Sequence, residues 1–139
     1  MADTDKVEFE LVAPERVLIS RAVEMVVVPG EEGDFAVLPG HAPVMSSLRD
    51  WVVEIHENGA VAERIFVSGG FAEVTPTRCT VLAEEALAMA EITAEDARAR
   101  LATADQRVED AANDDARAAA ETEKARAEAL IEALAYFAG

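Results

Sequence analysis

Three carboxylates and a histidine lie close together in the run GEEGDFAVLPGHAPVMSSL, residues Gly30–Leu48. Glu31, Glu32 and Asp34 could hold a hard cation such as calcium. His41 could serve as a general base or as a metal ligand. The run lacks the alternating oxygen ligands of a calcium loop, however. The carboxylates are therefore predicted either to be solvated or to bind a basic protein surface.

The other residues needed for a catalytic or metal site are missing from the sequence. His56, the second histidine, is close to a predicted hairpin turn, and no histidine or cysteine pair has ligand spacing. Ser46, Ser47 and Ser68 lack the context of an activated nucleophile, and the phosphate-binding motif GxxxxGK[ST] is absent. We therefore predict no catalytic residue, no metal site, and a His41 that bonds to backbone or contacts a partner.

The overall charge narrows the possible partners. A formal charge of −16, from 28 acidic and 12 basic residues, argues against nucleic acid and anionic lipid. A partner with a basic surface remains, as does a simple need for solubility. No signal or transit character and no apolar run near the ~20 residues that span a bilayer are seen, so we expect membrane association only through a partner.

Residues 1–90 have the period of two that is typical of β-strands. The segment Val7–Leu11 is alternately apolar and acidic, and Asn58-Gly59 between two apolar runs is a strong signal for a two-residue hairpin turn. All five prolines and six of the seven glycines fall in this part. It is predicted to form an all-β sandwich or flattened barrel of roughly eight to ten strands, with Gly30–Leu48 as a long shaped surface loop.

Residues 91–139 have helical composition and spacing instead, with 17 alanines and no proline. Thr93 with Asp96 forms a capping-box pattern, and Asn113 is a predicted cap for a second helix. The predicted inward-facing residues are Ala97, Leu101, Ala104, Val108 and Ala111 on the first helix and Ala116, Ala120, Ala127, Leu130, Leu134 and Phe137 on the second. The chain is therefore predicted to be α+β, with a sandwich domain (1–90) and an antiparallel helical hairpin (91–139) that is either a mobile arm or a static cap.

The motif PGHAP, residues Pro39–Pro43, follows a Gly-acidic segment and precedes Ser68-Gly69-Gly70. This combination resembles the epsilon subunits of bacterial F-type ATP synthases, which are called delta in mitochondria. The resemblance covers nearly the whole chain and is stronger over Val7–Ala90 than over Glu91–Gly139. The family often has glycine where this chain has Ala36, so a differently set turn is expected there.

The resemblance implies a non-catalytic subunit of the proton-transporting ATP synthase. Such a subunit belongs to the central stalk and couples the gamma subunit to the membrane c-ring during ATP synthesis. Its sandwich would bind gamma, and Glu31, Glu32, Gly33, Asp34 and His41 would contact polar c-ring loops that commonly carry a basic residue. The resemblance also implies a weak regulatory role of the helices in ATP hydrolysis, through alpha and beta subunits. It implies a peripheral location on the cytoplasmic side of the bacterial inner membrane.

Some members of that family bind ATP through a motif (I/L)-D-x-x-R-A in the first helix. The matching residues here are Ala94–Ala99, AEDARA, in which Arg98 matches and Glu95 replaces the aspartate. The extra methylene moves the carboxylate by roughly 1 Å, which matters for a positioned hydrogen bond. Glu95 and Arg98 are thus nucleotide-binding candidates by resemblance only, and the simpler interpretation is an ion pair between them or simple solvent exposure of Arg98.

Two other functions are compatible with the residues alone. A small cupin-like enzyme would need a metal triad, which two histidines and scattered glutamates do not supply. A non-catalytic β-sandwich adaptor with a helical interaction arm would need only the predicted fold. Copurification with gamma in a one-to-one ratio would separate a rotor subunit from such an adaptor.

Overall fold

The computed structural model describes residues 5–14 and 16–138. The chain divides into two compact units, Met1–Met89 and Ala90–Gly139. The outermost ends of the predicted domains, residues 1–4 and 139, lie outside the described residues. No helix within the described part is long and apolar enough to cross a membrane.

The first unit is a sandwich of two five-stranded sheets. Its strands, in the described residues, are β1 (Val7–Ala13), β2 (Arg16–Val23), β3 (Met25–Gly30), β4 (Gly33–Val37), β5 (Val44–Ser47), β6 (Trp51–Glu57), β7 (Ala60–Ser68), β8 (Phe71–Val74), β9 (Arg78–Leu82) and β10 (Glu85–Ala88). One sheet has the order β2-β1-β9-β8-β5 and the other β10-β7-β6-β3-β4. The pairing of β1 with β9 is parallel, and the remaining pairs are antiparallel. The predicted sandwich is confirmed.

The core lies between the sheets and follows from the alternation along each strand. Phe9 and Leu11 on β1 are about 1% exposed, and Ile55 and Val81 from other strands are fully buried. The residues of β1 that alternate with them, Glu8, Glu10 and Val12, lie on the opposite face. The predicted Asn58-Gly59 turn is confirmed, because both residues have the positive φ that a type I′ hairpin turn requires.

The prediction of one long loop over Gly30–Leu48 is wrong. Strands β4 and β5 occupy part of it, and the irregular segment is limited to residues 38–43. Ala36 pairs with Val27 inside β4, so the turn expected at Ala36 is also wrong. The glycines and prolines of the run lie at strand ends or in the connection between β4 and β5, where they do not interrupt the hydrogen bonds between strands.

A short 3-10 turn (Met89–Glu91) begins at the last residue of the first unit. The second unit then forms α1 (Ala94–Asp110) and α2 (Asp114–Tyr136), which pack against one another. The capping box is confirmed: the Asp96 amide donates to Thr93 Oγ1, and the Thr93 amide donates to Asp96 Oδ2, each at 3.1 Å. Asn113 caps α2 by accepting from the Ala116 amide at 2.8 Å. The predicted helical hairpin is confirmed.

Alanine dominates the buried positions of the helical unit. These positions are Ala97 and Ala104 on α1 and Ala120, Ala127, Leu130 and Ala133 on α2. The prediction for Ala116 is wrong, because it is exposed and burial on α2 begins one turn later. Ala133 is fully buried where Leu134 was expected. Alanine methyls bury little area, so each contact between the helices contributes little to stability.

Candidate functional site

Glu31 and Glu32 form the two-residue turn of the β3–β4 hairpin, and we call these two residues the acidic tip. Both are exposed. The tip is held against β5, because the Glu31 amide donates to the Ser47 carbonyl at 2.8 Å. Gly30, at the base of the turn, has no room for a side chain: a Cβ there would lie 2.9 Å from the Gly33 carbonyl oxygen. The backbone therefore fixes the position of the turn from which the two side chains project.

Arg49, which follows β5, ties both strands of this hairpin together. Its Nη1 donates to the Gly30 carbonyl at 2.9 Å, and its Nη2 donates to Asp34 Oδ1 at 2.6 Å. Its backbone amide also donates to the Pro29 carbonyl at 3.0 Å. Arg49 was not among the residues predicted from the sequence. The only signal was that it is the first Lys or Arg after the acidic run.

The three predicted carboxylates are therefore in different environments. Asp34 is paired with Arg49, in a contact whose side chains are 45% and 36% exposed respectively. No ion pair to Glu31 or Glu32 occurs within residues 5–14 and 16–138. Two of the three predicted carboxylates thus have their charge available to a partner.

His41 lies beside the hairpin rather than in it. Its ring packs against Phe35 of β4, with ring centroids 6.2 Å apart. Its Nδ1 donates to the Ala42 carbonyl at 2.6 Å in the tautomer that protonates this nitrogen. The Gly40 amide donates to the Pro76 carbonyl at 2.7 Å, which holds the PGHAP turn against the β8–β9 connection. The backbone bond predicted for His41 is therefore present.

Exposed apolar side chains flank this region. Leu38 follows β4, and Val44 and Met45 lie on β5, with Met45 63% exposed. Both β4 and β5 are sheet edges in their own sheets. The surface thus combines a pair of carboxylates with nearby apolar area, an arrangement suited to a protein partner rather than to catalysis.

The described residues contain no group of three or more side chains able to hold a metal ion. His56 lies on β6, where its Nε2 is 3.5 Å from Glu54 Oε1. Arg64 Nε donates to the other oxygen of Glu54 at 2.8 Å. The Arg64–Glu54 ion pair joins β7 to β6 and is of a kind that stabilises sheets, whereas His56 lies on the same strand as Glu54.

The predicted nucleotide ligands Glu95 and Arg98 are both exposed on α1. The ion pair between them is not found in the described structure. A groove of about 310 Å³ lies between α1 and α2, and neither residue lines it. Its lining is Ala99, Arg100, Thr103, Ala104, Arg107 and Glu123.

An exposed apolar row crosses the outer face of the first sheet, and sequence reasoning missed it. We call Val12, Val17, Leu82 and Phe71 the apolar row. Val12 pairs with Val17 on one side and Leu82 on the other, and Leu82 pairs with Phe71. Val17 is 57% exposed, and Leu82 and Phe71 are each more than a third exposed. Contiguous exposed apolar side chains on a sheet are typical of a protein interface.

Comparison with known proteins gives consistent matches. A family model described as the ATP synthase Delta/Epsilon chain beta-sandwich domain matches residues 6–89. The ATP synthase epsilon chain of Rhodospirillum rubrum is 53% identical over 133 residues, covering 96% of this chain and 98% of that one. The epsilon chain of Parvibaculum lavamentivorans is 52% identical over 116 residues, covering 84% and 88%.

Two solved structures share the fold. A chain of the Euglena gracilis mitochondrial ATP synthase, solved as an OSCP/F1/c-ring assembly, aligns with a TM-score of 0.77 at 23% identity, covering 94% of this chain and 82% of that one. A chain of the Tetrahymena thermophila mitochondrial ATP synthase, solved as the central stalk and c-ring, aligns with a TM-score of 0.61 at 15% identity, covering 95% and 98%. At these identities the likeness is one of fold.

Proposed function

The chain belongs to the ATP synthase epsilon chain family, and from this we propose that it couples the gamma subunit of the central stalk to the c-ring. The resemblance first seen in PGHAP is confirmed by this membership. An epsilon chain is a non-catalytic subunit of its complex, so the prediction that the chain is not an enzyme is also confirmed. Membership decides against the cupin-like enzyme and the generic adaptor.

The single observation that carries the proposed ring contact is the acidic tip. Glu31 and Glu32 project from a turn that backbone bonds and Arg49 fix in place. A ring loop with a basic residue would complement this charge. Exposed pairs contribute only about 0.2–1 kcal/mol each, so the carboxylates would set register and association rate more than total affinity. Leu38 and Met45 would supply apolar contact area beside them.

For gamma, we propose the apolar row on the outer face of the first sheet as the contact surface. Supporting this, the row spans four neighbouring residues on β1, β2, β8 and β9, of which Val17, Leu82 and Phe71 are exposed and Val12 is half-buried. An apolar centre with a polar border is the usual anatomy of a stable subunit interface. Glu73, on the same outward face of β8 as Phe71, would belong to that border.

The two contacts together would place the chain at the cytoplasmic side of the bacterial inner membrane, attached through the ring rather than inserted. We propose no required cofactor. Any ATP binding would use Glu95 and Arg98, and its only support is their exposure on the first turns of α1 together with the partial motif match. Calorimetric titration of the full chain with Mg-ATP, with Arg98→Ala as the comparison, tests this directly.

Copurification with gamma tests the proposed gamma contact. The full chain should isolate with tagged gamma in a one-to-one ratio, and Phe71→Glu should reduce the bound fraction at least tenfold by placing a charge in an apolar contact. Glu73→Gln, a change on the same face of the same strand, is the matched control and should bind normally. Equal binding by the wild-type chain and Phe71→Glu would contradict the assignment of this face.

A further inference from the structure

We propose that Arg49 is the positioning residue of the acidic tip and that Asp34 serves Arg49 within the chain. The charge offered to a basic partner would then come from Glu31 and Glu32 alone. This inference rests on the proposed function of the tip, and it assigns different roles to carboxylates that the sequence treats as one cluster. It concerns three segments that meet at Arg49: the end of β3, the start of β4, and the connection after β5.

The contacts of Arg49 are arranged as a clamp. One guanidinium nitrogen binds the Gly30 carbonyl on β3, and the other binds the Asp34 carboxylate on β4. Because these nitrogens belong to one rigid plane, the two strands next to the turn are held at a fixed separation. The Arg49 amide, bonded to Pro29, fixes the clamp to the same hairpin from its own backbone. Lysine has a single nitrogen and could not hold both acceptors with this geometry.

The backbone contacts around the turn show what the clamp would stabilise. The Glu31 amide donates to Ser47, and Gly30 forms an isolated bridge with Leu48, immediately before Arg49. A Cβ on Gly30 would also lie 3.0 Å from Phe35 and 3.1 Å from Ser46, so the turn is closely packed on this side. Release of Arg49 would leave the Glu31–Ser47 bond and the Gly30–Leu48 bridge without the support of the clamp, so the tip would open from β5 more often. The two glutamates would then project from a less fixed backbone.

The charge balance separates the carboxylates in the same way. A cation approaching Asp34 would meet the Arg49 guanidinium, which lies 2.6 Å from the Asp34 oxygen. It would have to displace that group or be repelled by it. A cation approaching Glu31 or Glu32 meets no arginine or lysine that is already paired with that carboxylate in the described structure. The paired carboxylate therefore contributes geometry, and the two unpaired ones contribute attraction.

Hydrogen exchange on the isolated full-length chain tests the clamp without any partner. The reporter is the Glu31 amide, whose bond to Ser47 should be protected in the native protein. We expect Arg49→Met to speed its exchange at least tenfold and Arg49→Lys at least threefold, with amides of β9 unchanged. Unchanged exchange at Glu31 in Arg49→Lys would overturn the clamp, and this variant decides the matter if Arg49→Met fails to fold.

Rebinding of F1 to membranes stripped of F1 tests the division of charge. F1 carrying Glu31→Gln/Glu32→Gln should bind at least fivefold more weakly and with a reduced salt dependence. F1 carrying Asp34→Asn, which keeps an oxygen for Arg49, should bind within threefold of wild type with an unchanged salt dependence. Equal losses for the two variants would overturn the division of charge. If neither variant weakens binding, the proposed ring contact itself is wrong, while the exchange result still judges the clamp.

Discussion

Gly70 should be among the least replaceable positions of the sandwich. It lies between β7 and β8 with φ +93°, and a Cβ there would sit 1.8 Å from the Leu82 carbonyl oxygen. The same Cβ would lie 2.8 Å from the Leu82 carbonyl carbon and 3.0 Å from Ala83 Cα. All three atoms are backbone, so no side chain can move aside. The Gly70 carbonyl also accepts from the Leu48 amide, next to Arg49.

The expected cost of Gly70→Ala has two parts. A positive φ costs a non-glycine residue about 1–2 kcal/mol. Forcing the strand end away from the new methyl adds overpacking of about 1–3 kcal/mol or more. We therefore expect a loss of at least about 2 kcal/mol, a large part of the ~5–15 kcal/mol typical of a domain. Gly59→Ala is the matched control, because Gly59 has φ +76° and a Cβ there meets nothing within 4 Å.

Urea unfolding of the full chain, followed by Trp51 fluorescence, measures this difference. Trp51 is the only tryptophan and lies on β6, so its signal reports the sandwich. Gly59→Ala should lose only the strain of about 1–2 kcal/mol. Gly70→Ala should lose at least about 1 kcal/mol more than that control, since overpacking adds to the same strain. A difference below about 0.5 kcal/mol would refute the packing argument, since strain alone would then account for both changes.

Three further predictions concern other parts of the chain. A fragment of residues 1–90 should unfold cooperatively in urea, because the inter-sheet core lies within residues 7–83, and a molten fragment would contradict this. Burial raises the pKa of Cys79 to about 12, so its thiol should resist iodoacetamide at pH 8 until the protein unfolds. In the unfolded protein the thiol has a pKa near 9.0, so the contribution of Cys79 to the free energy of unfolding is complete below pH 9 and is lost as pH rises towards 12. Cys79→Ala should abolish this part of the pH dependence of stability. Deleting residues 93–139 should raise ATP hydrolysis by the reconstituted complex less than about threefold. The reason is that residues 113–139 carry three basic and six acidic side chains and are poorly suited to bind an acidic surface. A tenfold rise would show that the charge of this segment does not determine its effect.

The sequence correctly predicted those elements that are determined by residues close to one another in the chain. The acidic-apolar alternation of Val7–Leu11 predicted a strand with one buried face, which is β1. Asn58-Gly59 predicted the turn of a different hairpin, the one between β6 and β7. Thr93 with Asp96 predicted the start of α1 to the residue. In each case the residues that determine the structure are neighbours in the chain. Short strands between glycines and prolines, such as β4, were missed because their pairing partners, not their composition, define them.

The candidate surfaces depended on contacts that no local pattern contains. Arg49 and Asp34 are 15 residues apart, and their pairing follows from how β3, β4 and the segment after β5 meet. The apolar row requires the parallel pairing of β1 with β9, which brings Val12 beside Leu82 although the two residues are far apart in the chain. The acidic residues could thus be recognised from the sequence as a group. Their division into one paired and two unpaired carboxylates could not.

The measurement that most directly tests the coupling role compares proton pumping with ATP hydrolysis in the reconstituted complex. The variant reverses Glu31, Glu32 and Asp34 to lysine together, and Trp51 fluorescence checks that it folds. We expect ATP-driven proton pumping to fall severalfold while hydrolysis by F1 continues, with the loss depending on salt because the contact is electrostatic. Pumping at the wild-type level by the folded triple variant would contradict the account, since the acidic hairpin would then play no part in transmitting rotation to the ring.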